Sequence, residues 1–207
     1  MTVSHTPSPA RSDLTTGTRP AAATTTRPFL RHGRLLSIGA VMWAVCFPLF
    51  GNDPDTTLGL LAFGIGSGTF QLGLLALLRV LWRTRALGTG RIARGVLRVE
   101  AVVVCLAILS TIVDAVQLSD LDQVGWLLLD LNWPLSMMGM FFIGIRIAIA
   151  GRWSGASRFW PMVAESWAVV VIPTINVFGP TVAGWVSFAH LLVGYATLGV
   201  IVSRKQG

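Results

Sequence analysis

The chain has 207 residues, of which 53% are hydrophobic and 12% charged, with a formal net charge of +7. Its mean hydropathy of +0.69 excludes an ordinary soluble domain, because apolar runs take up most of the length and leave little outside them. The positive balance does not point to nucleic acid: the sixteen Lys and Arg residues flank apolar runs, where membrane topology and an anionic lipid surface account for them.

Residues 1–33 read as a disordered basic cytoplasmic tail rich in Thr, Ser, Pro, Ala and Arg. The tail has no apolar stretch of the kind a secretory signal carries. Pro7, Pro9, Pro20 and Pro28 interrupt any long amphipathic helix of the mitochondrial type. Residues 34–203 are expected to form an all-α, polytopic membrane helix bundle of six transmembrane helices, with 204–207 as a cytoplasmic C-terminus. The spans fall at about 35–50, 58–81, 96–118, 124–150, 159–178 and 181–202. The first is short for a bilayer crossing, which needs roughly 17–25 residues. Gly179-Pro180 is a turn dipeptide between the last two.

Charge alternates between the connections. The N-terminal segment, residues 79–98, residues 146–158 and Arg204-Lys205 are basic, whereas the connections holding Asp53/Asp55 and Asp120/Asp122 contain no Lys or Arg. Retained positive charge marks the cytoplasmic side, so both termini are expected inside. Cys46 and Cys105 lie at different depths and form no Cys-x-x-Cys, which leaves them as small buried residues rather than a disulfide or redox pair. Gly64-x-x-x-Gly68 in the second span permits close helix packing.

Ionisable groups inside spans are costly and call for a partner or a task. Asp114 on span 3 and Asp130 on span 4 lie at similar depth near the outer face if the connection centred on Leu121 is tight. Ser110, Asp114 and Gln117 share one face of span 3, and Asn132 and Ser136 share one face of span 4 beside Pro134. These residues, with His190 of span 6 as a relay, are the expected ligand-binding set. Facing carboxylates repel, and the pair can share one proton. The plainer alternative is two hydrated helix-end carboxylates, Asp130 being favoured by the dipole of span 4. Toward the inner face, Arg146, Glu165 and Glu100 are expected to form a structural ion pair. An inner gate, or an anchor for an anionic headgroup, is the functional alternative. His190 has no second ligand at metal spacing, so neither a metal nor a cofactor is expected. Trp43, Phe47, Phe63, Phe70, Trp133, Phe141, Phe142, Trp167 and Phe188 lie within spans; most are expected to face lipid or pack in the bundle, and a few of them around one cavity with an acid would suit a cationic ligand or a carbocation.

Three functions compete. The first is binding, or proton-linked movement, of a small molecule at a polar site between spans 3 and 4. The second is an intramembrane enzyme acting on a prenyl, terpenoid or lipid substrate, such as a membrane terpene cyclase, with Asp114, Asp130 or Glu165 as the catalytic acid. The third is an accessory membrane subunit. The expected partners are a bilayer with an anionic cytoplasmic leaflet and either a second copy of the chain or another membrane protein. There is no Asp-Asp-x-x-Asp motif, no P-loop and no span lysine. The stretch Trp133-Pro-Leu-Ser-Met-Met-Gly-Met140, followed by Gly151-Arg-Trp153, resembles six-span membrane proteins of high-GC bacteria. That resemblance implies a bacterial cytoplasmic membrane and no particular activity.

Overall fold

The computed structural model describes residue 2, residues 27–120 and residues 122–205. Most of the expected tail, the connection's centre at Leu121, and residues 206–207 lie outside the described residues. Among the described residues the fold is entirely helical. Five stretches are long and apolar enough to cross a membrane: Leu30–Phe50, Thr57–Arg83, Arg91–Ala115, Val124–Ala150 and Ala156–Ser203.

Helix α1 (Leu30–Phe50) begins five residues before the apolar run does. Phe29 is buried just ahead of it, and Gly33 lies against the backbone of Gly199 and Ser203, so its first turns are held by packing despite Arg31 and Arg34. At about 1.5 Å per residue the helix is about 32 Å long, which removes the shortness of the apolar run. Helix α2 (Thr57–Arg83) opens on Thr56, whose hydroxyl accepts from the Gly59 N–H at 3.1 Å. It packs along α1 through Gly66 and Gly73, where a Cβ would press on the backbone of Trp43 and Leu36.

Helix α3 (Arg91–Ala115) ends with Gln117 in the left-handed region at φ 57°. The Leu118 N–H returns to the Val113 carbonyl at 3.0 Å and the Gln117 N–H to Asp114 at 2.9 Å. These are the paired bonds of a left-handed helix cap, with glutamine where glycine is usual. Gln71 of α2 and Thr111 of α3 exchange side-chain hydrogen bonds at 2.9 and 3.2 Å, which clamps the two helices.

The fourth stretch is interrupted at Leu131 into α4 (Val124–Asp130) and α5 (Asn132–Ala150). The Asn132 amide donates to the Leu128 and Leu129 carbonyls at 3.0 and 3.1 Å, and Pro134 in the next turn has no N–H to continue the ladder. The last stretch comprises α6 (Ala156–Glu165), α7 (Trp167–His190), a π-type segment (Leu191–Ala196) and α8 (Thr197–Ser203). It is not one rod. Gly179 has φ 80° and ψ 173°, and Ser166 meets His190 at 3.2 Å although 24 residues separate them. A straight helix of that length would hold them about 36 Å apart. The Trp160 indole likewise donates to the Gly194 carbonyl at 3.0 Å. The chain therefore folds back at Gly179-Pro180, as the turn dipeptide predicts.

The connections gather at two ends. At one, the Trp153 indole donates to Thr84 at 3.1 Å and the Lys205 ammonium lies 4.5 Å from the Trp153 ring centre. At the other, the Asn52 amide donates to the Pro180 carbonyl. The core between them is apolar and aromatic, built on Leu36, Trp43, Phe70, Leu74, Met137 and Tyr195.

Candidate functional site

Asp114 and Asp130 converge. Ser110, one turn before Asp114 on α3, is buried, and its hydroxyl lies 3.5 Å from Asp114 Oδ2 and 3.3 Å from Asp130 Oδ1. One O–H serves one acceptor at a time, so the two carboxylates keep free acceptor capacity. Both line a cavity of about 330 Å³ at the acidic end of the bundle.

Aromatic side chains line the cavity as well. Trp43 of α1, Trp133 of α5 and Trp167 of α7 are mutual neighbours, with ring centroids 5.4–5.7 Å apart. Trp133 stands edge-on to both of the others, at 88° and 89°. Phe47 and Phe63 extend the wall, 5.3 Å apart. The indole N–H groups of Trp43 and Trp167 and the hydroxyl of Ser187 are buried without a protein partner among the described residues, and all three residues line the cavity. Buried donors usually have an acceptor. The cavity thus offers carboxylates and aromatic side chains to positive charge.

The other expected ligand residues go elsewhere. Gln117 is exposed and caps α3. The Asn132 amide is bonded to carbonyls of the preceding helix α4, and the Ser136 hydroxyl donates to the Trp133 carbonyl of its own helix at 2.9 Å. His190 stands beside Ser166 rather than the aspartates, its ring centre 6.5 Å from that of Tyr195.

The expected ion pair is not formed. Arg146 is exposed on α5 and lines a groove with Arg152. Glu165, 1% exposed, accepts a hydrogen bond from the Tyr195 hydroxyl at 2.6 Å through Oε2, while its Oε1 has no partner among the described residues. The other ionisable neighbours acting on it are Tyr195 and Glu100. Glu100 is 6% exposed, lies against Gly139 where a Cβ would collide with its carboxyl, and also has one unpartnered oxygen. Two buried carboxyls therefore share the core with a phenol, and no cation among the described residues pairs with them. The π-type segment brings Tyr195 there, and its irregular turns leave the Gly194 and Ala196 carbonyls to accept from Trp160 and Ser37.

Phe70 separates the two polar sites. Its ring is 5.0 Å from Trp43 on the cavity side and 4.7 Å from Tyr195 on the other. Sequence reasoning missed Ser187 and Asn52, which line the cavity, and the bond of Tyr195 to Glu165. Ser187 has His190 three residues on as the polar neighbour on its helix face, and that spacing is the signal that could have marked it. Compared with protein-family models, curated proteins and solved structures, the chain matches none.

Proposed function

We propose that the chain crosses a bacterial cytoplasmic membrane six times with both termini in the cytoplasm, binds a small organic cation in the outer cavity, and moves it in exchange for protons held by the Glu100–Glu165 pair. The observation that carries this reading is the meeting of Asp114 and Asp130 with the Trp43–Trp133–Trp167 wall in one cavity. Carboxylates alone are served by water or metal, and indoles alone by any apolar body. The two together favour a cation with a low hydration cost, such as an amine or a quaternary ammonium. The aromatic layer at Phe70 keeps the outer site and the deeper carboxyls from merging into one open pore.

Tryptophan fluorescence of the protein in nanodiscs tests the reading. It is titrated with choline and with a primary alkylamine, each against its uncharged carbon isostere. The cations are expected to change the emission in a saturable way and the isosteres not. Asp114→Asn and Asp130→Asn are each expected to weaken binding about tenfold or more, the worth of a hydrogen bond to a charged group. Equal responses to cations and isosteres would sink the proposal.

The aromatic wall also favours a second reading, an intramembrane enzyme that stabilises a carbocation on a prenyl chain with one of the aspartates as acid. Incubation with a prenyl substrate and chromatography of the extracted lipids separates the two: an enzyme yields a new hydrocarbon or alcohol, a carrier returns the substrate unchanged.

A further inference from the structure

We infer that the groove between the first turns of α3 and the last turns of α5, at the basic end of the bundle, is a binding site for an anionic phospholipid. The groove has a volume of about 720 Å³. Its chemistry is graded along the helix axes. Arg152 stands at the mouth, just past the end of α5, and Arg146 lies one turn inside that end. Phe142 lies one further turn in, on the same face of the helix. The facing wall is Ile92 and Val96 of α3, again one turn apart, and both are exposed.

A phosphate at the mouth would lie between two guanidinium groups, and acyl chains would run down the Ile92, Val96 and Phe142 surfaces. Among the described residues no Asp or Glu lines the groove, so its arginines have no carboxylate partner there. The α3 N-terminus adds to the positive potential: Gly90, which caps it without a side-chain hydrogen bond, lines the groove. A soluble anion would need the cationic mouth alone. The apolar floor directly beneath it, open to the outside of the bundle, is what selects a lipid. A guanidinium one helical turn below the helix end is at the depth of a headgroup phosphate when the helix spans the bilayer.

Native mass spectrometry of the full chain released from detergent tests this, with dioleoyl phosphatidylglycerol and dioleoyl phosphatidylcholine offered in equal amounts. The wild type is expected to retain the anionic lipid in preference. Arg146→Gln and Arg152→Gln are each expected to lower that preference about fivefold, the worth of one cation near an anionic surface. Arg79→Gln with Arg83→Gln removes twice that charge from the exposed end of α2, outside the groove, and is expected to leave the preference intact. Val96→Trp fills the groove while keeping every charge, and is expected to displace the lipid too, so the test survives if an arginine variant folds poorly. Three results overturn the inference: no preference for the anionic lipid in the wild type, an equal loss in the α2 variant, or displacement of the lipid by millimolar inorganic phosphate. The last would assign the mouth to a soluble anion.

Discussion

Tyr195 and Glu165 decide what the deep core can do. The phenol donates to one carboxyl oxygen at 2.6 Å, and the other oxygen and one oxygen of Glu100 have no partner among the described residues. Tyr195→Phe removes the single donor and leaves a buried carboxyl unserved, so it is expected to lower stability by about 1–3 kcal/mol in thermal unfolding. Glu165→Gln keeps an oxygen for the Tyr195 hydroxyl but binds no proton. It is expected to leave the melting temperature near that of the wild type while abolishing proton exchange during cation uptake into liposomes, followed with an internal pH dye. Intact proton exchange in Glu165→Gln would remove this pair from the mechanism. The importance of Glu165 is legible from its place in an apolar run, but its partner is not. Arg146 lies at the matching depth, which residue counting gives, yet it points away, which counting does not. Helix α5 buries Met140, Ile143, Gly144 and Ile147, and that rotation leaves Phe142 and Arg146 on the outside. A helix apolar nearly all round carries no periodic signal for its rotation.

Between elements, the fold rests on close backbone approach. Gly39 of α1 meets the backbone of Thr69 and Phe70, and Gly73 of α2 meets that of Leu36. Without a hydrophobic driving force between helices in lipid, such approach and its dispersion contacts are what hold α1 to α2. Gly39→Val is expected to destabilise the protein by about 1–3 kcal/mol, since its neighbour is backbone and cannot swing aside. It is also expected to weaken cation binding, because Phe70 underlies Trp43 in the cavity wall. Gly68→Ala is the control: the nearest atom to an added Cβ is 4.0 Å away, and no change in melting temperature is expected. The glycine-rich character of α2 is legible in the sequence, and its division of labour is not. Gly64 packs on Ala115 of α3 as a close-contact residue should, but Gly68 has room, while Gly66 and Gly73 serve the other face. The break at Leu131 has a sequence signal in Pro134. The π-type turns at 191–196 have no such signal, and there the Gly194 and Ala196 carbonyls accept from Trp160 and Ser37, distant in sequence.

Across the whole molecule, charge and connectivity make one statement. The connections near Thr84, Trp153 and Lys205 gather the arginines at one end, and those at Asn52, Asp120 and Pro180 lie at the other with the aspartates. This alternation is legible from the order of residues alone, since it depends only on which of them sit between apolar runs. The number of crossings depends on Gly179. If Ala156–Ser203 crosses once, the C-terminus lies on the side opposite the 151–155 connection. If the fold-back at Gly179 spans the bilayer as a hairpin, both lie on the same side and Thr181 lies on the other. Single cysteines placed at Asp120, Ser154, Thr181 and Lys205, in a background with Cys46 and Cys105 changed to alanine, distinguish the two with a membrane-impermeant maleimide. Six crossings predict that Asp120→Cys and Thr181→Cys react in intact cells, and that Ser154→Cys and Lys205→Cys react only after permeabilisation. Labelling of Lys205→Cys from outside would leave five crossings. It would also contradict the charge pattern, because Arg204 and Lys205 would then be the one basic pair on the outer face, beside the acidic connections rather than beside Trp153, whose ring now covers the Lys205 ammonium.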